Sequence, residues 1–289
     1  MIFYIESELK KISNLYTYID SIEDLACLNQ ELLQKSFVGI DTEFRRTTKD
    51  NMRLALLQVN DGEEIYLIDT ILIGDPEGHA SFLFSEYVTK VIHSCKEDLE
   101  AVYSWTKKVM ANIFDTQIAN SFLDGEFTIG YQGLVEQELE ITLEKNETRS
   151  NWLRRPLSDS QLKYAALDVE YLIHLYELQK EALSKTSKLD WLYQDINRLL
   201  EITFDARFSF KQLERSVSKT EEARILYKFD KVVQDISKRE NINPTLFFSK
   251  KSQKEFLRLV FLEGLDSASK EITSWRRHLI KDDFLTILK

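Results

Sequence analysis

The sequence predicts a mixed α/β domain, a sheet flanked by helices, followed by a small all-α domain. Three observations carry this. Short apolar segments near the N-terminus are joined by tight connections, short strand-like and helical patterns alternate after about residue 90, and apolar spacing is wholly helical from about Leu189. A chain of 289 residues holds one large and one smaller domain, placed at 1–204 and 205–289.

Ser36 to Phe44 reads as a buried strand, with Phe37, Val38 and Ile40 leading into charge. Arg53 to Val59 reads as a second strand, Asn60-Asp61-Gly62 as a turn and Glu64 to Ile68 as a third strand, giving an antiparallel meander. Val91-Ile92-His93 predicts a short strand and Glu97 to Trp105 a helix. Thr116 to Leu123 and Gly133 to Leu139 predict short helices, and Glu144 to Pro156 is polar and irregular. Ser158 is a good N-cap for one long helix to about Lys185, with Leu162, Ala165, Ala166, Val169, Leu172, Ile173 and Leu175 at helical spacing. The polar stretch Phe210 to Thr220 is the expected linker.

Composition is that of a globular protein, with 43% hydrophobic and 30% charged residues and only 3 Pro and 8 Gly. No apolar run reaches the roughly 18–20 residues of a membrane span, so no membrane partner is expected. The first residues carry no basic region or long apolar stretch, so no secretory leader is expected. Cys27 and Cys95 do not make a disulfide framework, which fits a reducing cytoplasm. The net charge of −10 taken alone argues against a nucleic-acid partner. It hides an asymmetry, because residues 1–204 carry −15 and residues 205–289 carry +5.

The acids are the most informative feature. Asp41 and Glu43 end an apolar strand, and residues two apart in a strand share a face. Buried paired acids need a cation or hydrogen bonds, and hard oxygen ligands select Mg²⁺ or Mn²⁺. The plainer reading places both past the strand end, facing water. Asp98 begins a helix after a strand, where an acid is often a dipole partner only. Tyr164 and Asp168 are four apart on one helix face, with small Ala165 and Ala166 between them allowing close approach. Their plainer reading is a half-buried Tyr and an exposed Asp. Together, two strand acids, one acid at a strand-to-helix junction and one on a late helix match an arrangement used for two-metal phosphoryl chemistry.

These segments resemble ribonuclease D, of the tyrosine subtype of the DEDD exonuclease superfamily. The resemblance rests on Gly39-Ile40-Asp41-Thr42-Glu43-Phe44-Arg45-Arg46, on Leu54 to Gln58, on His93-Ser94-Cys95-Lys96-Glu97-Asp98-Leu99, and on Tyr164 to Leu172. Phe114 to Ala119, Ile129-Gly130-Tyr131 and Glu147 to Ser158 add to it, so that it covers about residues 1–185. It implies an RNase H-like fold and hydrolysis of RNA from the 3′ end to nucleoside 5′-monophosphates. Asp41, Glu43, Asp98 and Asp168 would hold two divalent metal ions, and Tyr164 would orient the attacking water. Thr42, Arg45, Arg46, Arg149, Arg154 and Arg155 flank these segments as candidate substrate contacts, and Trp152 could stack a base. His93 is expected to be structural, because the ligand set is all oxygen. Asn151 stands where the family usually has Asp, which bears on local hydrogen bonding.

Residues 205–289 resemble, more faintly, a single helical HRDC module of the kind shared with helicases. The resemblance rests on Ile225-Leu226-Tyr227, Asn241 to Phe247 and Ser274 to Ile280, and Lys228-Phe229 replaces a Trp-Arg pair. Lys250, Lys251, Lys254, Arg276 and Arg277 are its candidate phosphate contacts. The implied partner is RNA with single-stranded 3′ ends, tRNA precursors above all, and a monomer is expected. A DNA-directed exonuclease and a non-catalytic RNA-binding protein on the same fold are the alternatives. All five expected catalytic residues are present, which weighs against the second.

Overall fold

A computed structural model describes residues 15–48, 51–143, 150–205 and 217–287. They divide into two compact units, one within 1–117 and 130–179, the other within 118–129 and 180–289.

The first unit is built on the expected meander. Strands β2 (Phe37–Thr48), β3 (Asn51–Asn60) and β4 (Ile65–Ile68) are antiparallel neighbours. Asp61 forms the last turn by accepting from Glu63 N and Glu64 N. Two three-residue strands escaped the sequence reading: β1 (Thr17–Ile19), parallel to β4, and β6 (Ile113–Asp115), parallel to β5 (Thr89–Ile92). They are too short to show a period. The six-stranded sheet runs β1-β4-β3-β2-β5-β6. Helix α1 (Ile22–Leu32), also unread, is capped by Ser21, accepts acids in its first turn and buries Leu25, Leu28 and Leu32. Ile40, Leu56, Leu57, Val91, Phe114 and Leu99 form the core between sheet and helices.

After β4 come a single turn α2 (Thr70–Ile73), then α3 (Lys96–Thr106), α4 (Thr116–Phe122) and α5 (Tyr131–Leu139). The long helix expected from Ser158 to Lys185 is two helices, α6 (Asp159–Glu170) and α7 (Leu172–Lys185), parted at Tyr171. The apolar spacing runs through the break, so periodicity could not show it. At the break the Tyr131 hydroxyl accepts from Tyr171 N–H and donates to the Leu167 carbonyl.

The second unit is helical: α8 (Leu189–Phe204), α9 (Lys219–Glu240), α10 (Pro244–Phe248), α11 (Lys250–Glu263), α12 (Leu265–Ala268) and α13 (Ser274–Ile287). Of the expected linker, 210–216 lies outside the described residues, and α9 already begins at Lys219. Trp191 stacks on Trp275 with centroids 5.1 Å apart. Arg276 commits all five guanidinium donors internally, to Asp195, Thr273 and the Leu246 and Phe247 carbonyls. Among the described residues, no helix is long and apolar enough to cross a membrane.

Candidate active site

The site arises where β2 outruns its parallel neighbour. Pairing with β5 stops at Gly39, opposite Val91, while pairing with β3 runs on to Thr48. Asp41 and Glu43 stand in the stretch that β5 has left. Beside Glu43 the ladder slips: Glu43 faces Leu56 and Phe44 faces Leu54, so Ala55 is an extra residue. Bulges re-aim side chains and often lie next to active sites.

The connection leaving β5 is anchored by Asp115, which accepts from Ser94 N at 3.2 Å and Cys95 N at 2.8 Å. That anchor fixes the start of α3 and brings buried Asp98 to the site in the first helical turn. Thr42, between the two strand acids, donates from Oγ1 to Asp98 Oδ1 at 2.5 Å. Helix α6 packs against β2, β3 and β4. It is started by a reciprocal cap between Ser158 and Gln161, and fully buried Ala165 and Ala166 allow its close approach. Tyr164 and Asp168 ride on it, four residues apart, and the phenol hydrogen-bonds the carboxyl.

Asp41, Glu43 and Asp168 each offer a carboxylate oxygen, all within 4.8 Å of one another. Asp98 lies outside that tight set, yet it is the strongest charged neighbour of Asp41. Burial, then the charges of Asp98, Asp168 and Glu43, push the Asp41 carboxyl well above the usual range. Burial, then Asp168 and Asp98, push Glu43 up to about 9. Asp98 and Asp168 are each pushed up to about 7 by burial, against the lowering effect of hydrogen bonds from Thr42 and Tyr164 respectively. Four acids raised by burial, Asp41 and Glu43 also by the charges of their site neighbours, have an environment suited to added positive charge. With oxygen donors only, the set would suit a hard divalent cation.

Other expected residues fall in distinct places. Arg45 and Arg154 are exposed. Arg46 is held by Glu100 and lies 3.6 Å from Glu97. Arg149 lies outside the described residues. Trp152 is 4% exposed, with its ring centroid 6.1 Å from that of Tyr164, so it backs the phenol rather than offering an open face. Arg155 turns inward. Its five donors go to both oxygens of fully buried Asp69 and to the carbonyls of Trp152, Arg154 and the bulged Ala55, leaving none for a phosphate.

Two residues were missed as site residues. Gln58 is buried opposite Asp41, and its Nε2 lies 3.4 Å from Asp41 Oδ2. A lone amide inside the apolar run Leu54 to Val59 was the available signal. Tyr131 holds the α6–α7 break, and His93, its edge-on neighbour with centroids 5.9 Å apart, places Nδ1 2.8 Å from Thr116 Oγ1. Burial pushes the Tyr131 phenol well above its ordinary value, so it keeps its proton.

Comparison with known proteins agrees with this architecture. Ribonuclease D of Shewanella sp. (strain ANA-3) is 36% identical over 194 residues, covering 67% of this chain and 50% of that protein. The chain thus spans about half the length of the curated relatives it matches. The crystal structure of Escherichia coli RNase D, described as an exoribonuclease involved in structured RNA processing, superposes with a TM-score of 0.62 at 23% identity, covering 94% of this chain and 74% of that one. Brucella melitensis NrnC with bound Mg²⁺ gives 0.58 at 21% identity, covering 70% and 98% respectively. Both show the same fold: a mixed sheet flanked by helices, RNase H-like. The family model described as 3′-5′ exonuclease matches residues 16–183, more than half of the chain and all of the strands and helices that carry the acids, and the chain belongs to that family.

Proposed function

We propose that this chain is a 3′–5′ exoribonuclease of ribonuclease D type, shortening RNA from its 3′ end and releasing nucleoside 5′-monophosphates. The observation that carries this is the convergence of Asp41, Glu43 and Asp168, with Asp98 beside them and Tyr164 bonded to Asp168. The similarity to ribonuclease D proteins supports RNA as the polymer.

The four acids are the groups that would hold two divalent cations, Mg²⁺ or Mn²⁺. Such cations, when bound, make water a nucleophile near neutral pH and stabilise charge on the phosphoryl and leaving oxygens. The protein's own part is positioning. Thr42 and Gln58 hold Asp98 and Asp41 in place. The Tyr164 phenol, fixed by Asp168 and backed by Trp152, orients the attacking water and can accept a hydrogen bond from it. Exposed Arg45 and Arg154 are the phosphate contacts, with Arg149 a further candidate.

We take residues 1–204 as the catalytic domain and 205–289 as an HRDC-like helical module contacting structured RNA. Lys250, Lys251, Lys254 and Arg277 are its exposed candidate contacts, of which Lys250 is paired with Asp230 and Lys251 lies 3.8 Å from Glu255, whereas Arg276 is committed internally. The natural substrate on this reading is the 3′ extension of a tRNA precursor.

The test is digestion of a 5′-labelled, 3′-extended tRNA precursor by the purified chain with Mg²⁺ or Mn²⁺. A ladder shortening from the 3′ end, with 5′-monophosphates released, is expected. It should be absent with chelator and in Asp41→Asn. A matched DNA oligonucleotide cut as fast as RNA would reassign the substrate, and no cleavage of either would refute the nuclease.

A further inference from the structure

The break between α6 and α7 is made by a distant side chain. In an uninterrupted helix Tyr171 N–H would bond the Leu167 carbonyl four residues back. Here the Tyr131 hydroxyl stands between them, accepting from Tyr171 N–H at 3.0 Å and donating to the Leu167 carbonyl at 3.3 Å. A group inserted in the ladder bends a helix. At the break the Val169 carbonyl, which also takes a bond from Tyr171 N–H, and the Glu170 carbonyl accept from Asn60 Nδ2 at 3.0 and 3.1 Å. Asn60 is fixed in turn, since its Oδ1 accepts from Gly62 N at 2.8 Å. Beyond the break, Leu172 lies so close to β2 that a Cβ on Gly39 would sit 3.1 Å from Leu172 Cβ. The new direction of the chain thus lets α7 lie directly on the strand that carries Asp41.

Asp168 follows Leu167 immediately, inside the turn that the hydroxyl has opened. We propose that the Tyr131 hydroxyl is a positioning group for the metal-binding acids: by splitting the helix between Leu167 and Tyr171 it sets how Asp168 meets Asp41 and Glu43. This rests on the nuclease reading above. The Tyr131 ring is held at its edge by His93, from the same β5–α3 connection that delivers Asp98. One wedge therefore ties the helix bearing the last acid to the connection that leads into the helix bearing another.

Tyr131→Phe tests this cleanly, because it removes one oxygen and no formal charge. The two helix groups it bridged can then bond each other. A second variant, 4-fluorophenylalanine at position 131, fills nearly the same volume without donating a proton and decides the matter should Tyr131→Phe fold poorly. Three quantities are measured on the full chain: Mn²⁺ affinity by titration calorimetry, amide exchange at Tyr171, and kcat and KM on an RNA oligonucleotide. The expected result is a folded variant with altered Tyr171 exchange, Mn²⁺ binding weakened about 10–100-fold as for other groups that orient metal ligands, a lower kcat and an unchanged KM for RNA. Wild-type Mn²⁺ affinity in a folded variant overturns the proposal, and a fall in Tm alone would mark Tyr131 as merely structural. Wild-type protein that neither binds Mn²⁺ nor shortens RNA overturns the nuclease reading itself, an outcome separable from any effect of the variants.

Discussion

Thr42 donates to Asp98 at 2.5 Å, joining the strand that carries two of the acids to the helix that carries a third. This hydrogen bond holds the Asp98 carboxyl below where burial alone would put it. Thr42→Val keeps the shape and removes the donor, a loss of about 1–3 kcal/mol at a buried group. The Asp98 pKa should rise further, so the acid limb of the pH–rate profile should move to higher pH. Rates measured between about pH 6 and 9 at a fixed Mg²⁺ concentration below saturation, where protons compete with the metal for Asp98, would show the shift, and an unmoved limb would separate Thr42 from the chemistry.

Raised carboxyls also make a statement about stability without metal. A carboxyl whose folded pKa lies above its unfolded value adds stability that is complete below the unfolded pKa and lost as pH rises through the folded one. For Asp168 and Asp98 that window runs from 3.8 to about 7, and for Glu43 from 4.5 to about 9. Asp168→Asn removes one of the mutually repelling charges. In chelator at pH 8 its Tm should exceed that of the wild type by a few degrees, roughly what 1 kcal/mol does in a chain of this size. At pH 4 the difference should vanish. A variant less stable than wild type at pH 8 would contradict the electrostatic account.

Metal should reverse that order. Mn²⁺ at about 100 times its Kd adds about 2.7 kcal/mol to the wild type. It should add little to Asp168→Asn, which lacks one of the three converging oxygens. Thermal melts with and without Mn²⁺ compare the two directly.

Arg155 and Arg154 are adjacent and should behave oppositely. Arg155 is bonded to buried Asp69 and to the Ala55 carbonyl in the bulge beside Glu43. Arg155→Ala strands that carboxylate and should cost about 3–5 kcal/mol in urea unfolding. Arg154 is exposed. Arg154→Ala should leave stability within about 0.5 kcal/mol while raising KM for RNA and flattening its salt dependence. A stability loss at Arg154 of the size expected for Arg155 would refute the division.

Much of this site could be read in the chain because local rules place it. Strand alternation put Asp41 and Glu43 on one face, and helical spacing did the same for Tyr164 and Asp168. The meander followed from apolar runs and the Asn60-Asp61-Gly62 turn. What stayed hidden depends on partners far away in sequence. Arg155 and Arg276 look like surface cations until the carbonyls and carboxylates around them are seen. The three-residue strands β1 and β6 are defined by the neighbours they pair with. The helix break leaves no mark in residues 158–185 at all, since the hydroxyl that makes it comes from Tyr131.

That last feature has a consequence in time. Tyr131 lies 40 residues before Tyr171, and Asn60 lies 109 before Val169. Contacts within a helix close in well under a microsecond or so, far sooner than contacts across such separations. The contacts that hold the bend therefore belong to the long-range class, while those that build α6 and α7 on either side of it are local. The place of Asp168 is thus set by the tertiary fold and not by the helix that carries it.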